Sequence, residues 1–260
     1  PNDALIKDIL SLELNEGLFD EQEHIIAFRS GNFKDSVDCQ KSYTDVAFTH
    51  VQNLWDIFSK NAIELEADFE LITRGRTSQK ANATNNILGE ENLFIEEGAV
   101  LNCAIINASN GPVYIGKDAE VMEGSIIRGP FALCEASQIK LGAKIYGSTT
   151  VGPYSKVGGE LNNVVIFGYS NKAHDGFLGN SVIGEWCNIG ADSNNSNLKN
   201  NYAKVRLWNY ASGCFVNTGL QFCGLIMADH SKCGINTMFN TGTVVGVSAN
   251  IFGSGFPRNF

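Results

Sequence analysis

Residues 133–157 read LCEASQIKLGAKIYGSTTVGPYSKV. A branched or large apolar residue returns every sixth position, at Leu133, Ile139, Ile145 and Val151, and a small one stands four places after each: Ser137, Ala143, Thr149 and Ser155. A helical face would need a period near 3.6 and a lone strand face a period of 2. Six residues instead make one short flat strand plus a corner, and three such units close a triangular turn. The large residue points inward, the small one fits beneath a corner, and each turn bonds to the next at the parallel-sheet spacing of about 4.8 Å.

Working outward, the same alignment pairs Ile95 with Ala99, Ile115 with Ala119 and Val121 with Ser125. Downstream it pairs Ile183 with Cys187 and Ile189 with Ser193. It then runs through Cys233, Phe239, Val245 and Ile251, with Thr237, Thr243, Ala249 and Gly255 four places on. A fixed repeat carried this far predicts a solenoid. The hexapeptide form specifies a mainly β fold, the left-handed parallel β-helix, which departs from the usual right-handed crossover. It is expected over residues 87–260.

A bare coil is a scaffold, so function is sought in its interruptions. A register break lies around Val157–Gly176. An Asn-rich insertion follows from Asp192 to Thr218, in which Lys204–Tyr210 and Cys214–Val216, flanking Ser212-Gly213, predict a small hairpin.

Ahead of the coil, residues 1–58 read as part of an α/β unit. Asp3 is placed to cap a helix running to Leu12, with Ala4, Leu5, Ile9, Leu10 and Leu12 on its apolar face. Asn15-Glu16-Gly17 reads as a turn, with strands at Leu18–Phe19 and His24–Phe28. Residues 59–86 read as a helix and linker: Ser59 caps a helix over about 60–73 with Ile63, Phe69 and Ile72 on one face, and Arg74–Asn86 is polar.

The net charge of −9 is concentrated in residues 1–84, which hold 15 acids and 8 bases; the remainder holds 13 and 11. Neither part has the basic stripe that a phosphate backbone requires, so nucleic acid is not an expected partner. The seven cysteines, at 39, 103, 134, 187, 214, 223 and 233, show no C-x-x-C spacing and read as reduced, small core residues of a cytoplasmic protein. No apolar run has membrane-spanning length. The chain opens on Pro1 and ends at Phe260 within a repeat, and reads as a fragment of something longer.

Two histidines belong to the coil. His174 lies in Lys172-Ala173-His174-Asp175-Gly176, inside the first interruption, and His230 lies in Ala228-Asp229-His230-Ser231. Each alone reads most simply as a surface histidine beside a turn; the sharper reading of His174 is a general base facing solvent. Because His24 and His50 precede the coil, a three-histidine metal site within it is excluded, and no metal is expected. No G-x-S-x-G and no phosphate-binding glycine loop occurs.

The segment from Lys172 to Asn197 resembles the acetyltransferase half of the bifunctional enzymes that make UDP-N-acetylglucosamine. That family reads K-A-G-H-L-T-Y-L-G-D-A-x-I-G-x-x-x-N-I-G-A-G-T-x-x-x-N. Here Lys172-Ala173-His174 leads through Leu178-Gly179, Ile183-Gly184 and Asn188-Ile189-Gly190-Ala191 to Asn197, with the spacing kept from the histidine onward. Residues 1–72 look like the end of the family's sugar nucleotidyltransferase half.

The resemblance implies a transferase that moves the acetyl group of acetyl-CoA to an amino sugar phosphate, with His174 as the base. Asn188 and Asn197 would hold the sugar. Ala191 would meet the thioester, and Gly234, Ile235 and Gly253 would pack the acetyl-CoA arm. Phe177 replaces a family tyrosine. The family's phosphate-gripping arginine and lysine align near Gly158 and Asn162, leaving Lys156, Lys199, Lys204 or Arg206 as substitutes. His174 and Asn188 stand 14 residues apart, short of a full turn, so a homotrimer whose neighbouring coils complete the site is expected. Mg2+ would enter only with an active nucleotidyltransferase half upstream. Two other readings stand beside this one: a sugar-1-phosphate nucleotidyltransferase whose site precedes Pro1, with the coil for oligomerisation, and a non-enzymatic assembly module.

Overall fold

The computed structural model describes residues 2–31 and 39–259; Pro1 and Phe260, which bound the segments above, lie outside them. The chain divides into two compact units, between His50 and Val51.

In the first unit, the helix Asp3–Ser11 is capped by Asn2, whose Oδ1 accepts from the N–H groups of Ala4 and Leu5. Asp3, expected as the cap, sits in the first turn, where its carboxylate still complements the helix dipole. Leu12 is buried but Leu10 is 73% exposed. Leu5, Ile9 and Leu12 follow a 3–4 spacing, and Leu10 falls a hundred degrees from Ile9, off that face. Asn15 takes the left-handed turn conformation, while Glu16 and Gly17 already belong to a strand. That strand, Glu16–Phe19, is central to a sheet, antiparallel to Ile25–Arg29 and parallel to Gln40–Tyr43.

The second unit is a left-handed parallel β-helix of about nine turns. Its strands form three faces. The first includes Asn86–Leu88, Ile105–Asn107, Ile126–Arg128 and Lys144–Tyr146. The second includes Leu93–Ile95, Val113–Ile115, Phe131–Leu133 and Thr149–Val151, and later Leu225–Met227 and Thr243–Val245. The third runs from Val100–Leu101 through Gln138–Ile139, Lys156–Val157, Asn171–Lys172 and Asn188–Ile189 to Lys232–Cys233 and Asn250–Ile251.

The expected inward residues are buried, save Ile251 in the last turn, which is half-buried. Ile115, Val121, Leu133, Ile139, Val151 and Phe239 form one core, with small residues such as Ala119, Ser125, Ser137 and Ser155 closed beneath the corners. These buried hydroxyls are bonded: Ser137 donates to the Gly152 carbonyl and accepts from the Ser155 N–H, and Ser155 repeats the pattern with Phe167 and Ser170. Ile127→Val at a fully buried position should lower the unfolding free energy by about 0.5–1.5 kcal/mol in a urea titration with unchanged m-value. A loss below the error of the titration would mean that the stack is not tightly packed there.

The first interruption shortens the turn without breaking it. Ile126 pairs with Lys144, 18 residues on, but Lys144 pairs with Glu160, only 16 on. The dropped residues leave two long strands, Glu160–Ile166 and Phe177–Ile183, which span the first and second faces in continuous register. The second interruption is an arm whose strands Arg206–Asn209 and Cys214–Asn217 form the expected antiparallel hairpin. Its base folds back on the coil: Val205, Leu207 and Cys223 are buried with Phe58, Val182, Ile226 and Val244.

Two segments before the coil differ from expectation. Ser59 ends a short helix, Asp56–Ser59, and the following helix Asn61–Thr73 begins after Lys60 with no side-chain cap. Ile63 faces solvent and Leu65 is the buried residue of that helix. Asn61 anchors it to the coil, donating to the Ser148 carbonyl at 2.8 Å and accepting from Thr150 Oγ1 at 3.0 Å. The polar stretch expected as a linker is stitched to the first turn. Gln79 donates through its N–H to Ile95, and its amide bridges Ala99 and Gly98; Asn85 bridges Leu101 and Ala104. A first turn has strand edges with no preceding turn, and side-chain amides satisfy those backbone groups.

Candidate active site

The edge where the third face turns into the first carries His174. Successive turns stack there. The Asp175 carbonyl accepts from the Asp192 N–H, and the Ala191 carbonyl accepts from the Asn236 N–H at 2.8 Å. Gly190 lies so close to Gly234 that a Cβ would sit 2.4 Å from its carbonyl carbon, and Gly234 in turn abuts Phe252 beside Gly253. His174, Ala191, Gly234, Ile235 and Gly253 therefore form one column along one edge. His174 and Ile235 are exposed, and Gly253 is open on its outer side.

At this corner Ala191, like Leu141 and Ile235 at the equivalent corners of other turns, differs from its two chain neighbours in backbone bonding. The N–H groups of Gly190 and Asp192 are taken by the carbonyls of Cys233 and Asp175. Among the described residues, the Ala191 N–H has no hydrogen-bond acceptor, so it remains a donor on the edge that bears His174.

His174 is held from inside the coil. Lys172 occupies an inward position in register with Val157 and is only 3% exposed. Its Nζ donates to the carbonyls of His174 at 2.6 Å and Gly158 at 3.0 Å. Burial lowers its pKa from 10.5 to about 8, partly offset by the nearby carboxylates of Asp175 and Asp192.

The remaining predicted residues divide between the two faces that meet at this edge. Asn188 stands on the third face, where it accepts from Asn171 Nδ2 at 3.0 Å. Asn171 Oδ1 is shielded from solvent and has no donor among the described residues. Outward positions of this face align Lys156, Asn171, Asn188 and Lys232 in register, so two exposed lysines flank the asparagine pair. Phe177 and Asn197 lie on the first face and converge over Gly179: a Cβ there would be 2.5 Å from the Phe177 ring and 2.8 Å from Asn197 Nδ2. Asn197 Nδ2 is committed to Asn180 Oδ1 at 2.8 Å. Lys199 is apart from both groups, on the arm, where it donates to the Lys204 carbonyl. Gly158 lies beneath Ala173 at the edge that carries His174 and offers no charge, and Asn162 belongs to the first face.

His230 serves a different edge. Tyr154, Tyr169, Trp186 and His230 stack as a ladder with centroids 5.4, 4.6 and 6.2 Å apart and rings within 6° of parallel. All four occupy left-handed corners between the second and third faces. Beside that ladder is an apolar groove of about 720 Å³ lined by Phe167, Val182, Tyr210, Ile226, Val244 and Val247. No sequence pattern marks it, because its walls come from turns and an arm distant in sequence. All seven cysteines are free thiols; Cys187, Cys223 and Cys233 are core residues, and burial pushes the Cys223 thiol up to about 12. Cys103 and Cys214 are exposed at a corner and at the hairpin end, away from the expected core role.

Residues 1–77 match the sugar nucleotidyl transferase family. A bifunctional sugar-1-phosphate nucleotidylyltransferase/acetyltransferase of Sulfurisphaera tokodaii is 29% identical over 144 residues, covering 55% of this chain and 35% of that protein. The chain thus spans about a third of the length of this curated relative. Among solved structures, a hexapeptide transferase family protein from Anaplasma phagocytophilum is 12% identical, with a TM-score of 0.21, covering 65% of this chain and 69% of that one. The acetyltransferase domain of PglB from Neisseria gonorrhoeae is 16% identical, with a TM-score of 0.15, covering 74% and 63%. These relatives are transferases. No helix among the described residues is long and apolar enough to cross a membrane.

Proposed function

We propose that this chain is an acetyl-CoA-dependent N-acetyltransferase acting on an amino sugar phosphate, in the manner of UDP-N-acetylglucosamine biosynthesis. The observation that carries the reading is the edge column: His174, the donor N–H of Ala191 and the Gly234–Ile235 turn, far apart in sequence, stack on one line. In this reading the imidazole of His174 takes a proton from the acceptor amine as its nitrogen attacks the thioester carbonyl. The Ala191 N–H donates to the oxyanion, the carbon–sulfur bond breaks, and the coenzyme thiolate leaves. Asn171 and Asn188 would position the sugar, and Phe177 and Asn197 on the other face would belong to the neighbouring site of a homotrimer.

The lysine row suggests where the acceptor phosphate goes. Lys156 and Lys232 flank the asparagine pair, whereas Lys199, Lys204 and Arg206 belong to the arm. Two lysines act as point charges without the fork geometry of an arginine clamp. Lys232→Ala should raise KM for a phosphorylated amino sugar while leaving kcat and the KM of its unphosphorylated counterpart nearly unchanged. Equal effects on both acceptors would remove the lysine from the phosphate site.

The deciding experiment is acetyl-CoA turnover across a panel of amino-sugar phosphates, with calorimetry of acetyl-CoA binding. Turnover by at least one acceptor is expected. No turnover and no binding at millimolar acetyl-CoA would favour the assembly-module reading. The family match over residues 1–77 also supports sugar-1-phosphate nucleotidylyl transfer by a longer protein, tested by uridylyl transfer in the full-length enzyme with Mg2+.

A further inference from the structure

We propose that Asp20, His24 and His50, all in the first unit, bind a divalent transition ion of the Zn2+ class. The potential ligand atoms of the three side chains all lie within 4.8 Å of one another. Asp20 Oδ2 is 2.9 Å from His24 Nδ1, and the two imidazoles meet edge-on with centroids 5.6 Å apart. Zinc–nitrogen bonds are about 2.0–2.1 Å, so ligands of a tetrahedral site stand roughly 3.3 Å apart. Ion binding would have to draw the spread of 4.8 Å in to that distance.

The surrounding bonds orient the set. Asp20 Oδ1 accepts from the N–H groups of Gln22 and His24 at 2.9 and 2.8 Å, which turns Oδ2 toward the imidazoles. Such outer bonds are what hold first ligands in place around metals. His50 also packs against Phe48, with centroids 5.9 Å apart. An aspartate–histidine bond alone would staple the turn from Asp20 to His24 without needing His50. The arrival of a second imidazole, 26 residues downstream, is what points to a shared ion. Two imidazoles and one carboxylate suit Zn2+ and its neighbours in the first transition row over Mg2+ or Ca2+, and three protein ligands leave a fourth position for water.

The test is titration of the full chain with Co2+ as the visible probe, followed by displacement with Zn2+. One equivalent of Co2+ should give tetrahedral visible bands that Zn2+ removes. His50→Ala and His24→Ala should each weaken binding by more than the roughly 10–100-fold that losing an outer partner costs. His174→Ala should leave binding intact. Circular dichroism of both ligand variants checks folding, and a misfolded variant is replaced by His50→Gln or His24→Gln. Absence of saturable Co2+ binding below millimolar would overturn the site. So would binding that persists in both folded variants, or that disappears with His174→Ala.

Discussion

His174→Ala should lower kcat for acetyl transfer by roughly 10²–10⁴-fold, the range that a positioned general base contributes. Protein stability should stay within about 0.5 kcal/mol of the parent, because the imidazole is exposed and adds no buried packing. The turn that carries it is fixed through its backbone: the His174 carbonyl is held by Lys172 and the Asp175 carbonyl by Asp192. Truncating the ring should therefore remove the proposed base and leave the edge column in place. The measurements are steady-state kinetics, urea unfolding and the solution mass of the variant. Activity equal to the parent, in a variant of unchanged mass and stability, would remove His174 from the mechanism and leave the coil reading untouched.

The architecture was legible because its signal is redundant. Many inward residues from Ile95 to Val245 have a small partner four places on, and a misreading at any one is corrected by the others. Where a position is decided by side-chain bonds, the pattern is silent. Gln79 and Asn85 look like linker residues, yet their amides complete the first turn. Ser59 has the chemistry of a cap but ends a helix, because Asp56 already accepts from the N–H groups of Gln52 and Asn53 and starts the helix earlier. The resemblance groups His174, Ala191, Asn197, Gly234 and Ile235 into one site, and the fold sets only part of that group on one edge. Ala191, Gly234 and Ile235 join His174 because successive turns bring their corners into line. Asn197 falls on the next face, where Gly179 leaves room for it beside Phe177. The grouping of Asp20 and His24 with His50 needed the folded first unit, since no spacing rule links a hairpin turn to a residue 26 positions on.

Lys172 should make the stability of the parent depend on pH in a way that Lys172→Met does not share. The side chain occupies an apolar position of the coil, and its pKa falls from 10.5 unfolded to about 8 folded because burial disfavours the cation. Below pH 8 both states hold the proton, and the buried charge costs the folded state about 3 kcal/mol relative to an unshifted lysine. Between pH 8 and 10.5 the unfolded chain binds more protons than the folded one, so stability rises with pH across that window. Above it the penalty is gone. Methionine keeps the apolar stem and removes the charge, but it leaves the carbonyls of Gly158 and His174 without their donor, at about 1–3 kcal/mol each. Near neutral pH the two opposing changes should bring parent and variant close in stability. By pH 10.5 the parent should lead by up to about 3 kcal/mol more than it does at pH 7. Tyrosines and thiols titrating in the same range are common to both proteins and cancel in the difference. Urea unfolding of the pair at pH 7, 8, 9 and 10 reads the effect, and parallel pH profiles would mean that Lys172 keeps an ordinary pKa inside the coil. The variant also tests the edge: with the His174 carbonyl released, kcat should fall at pH 7 even where stability does not, because the turn that carries the proposed base loses the bond from Lys172.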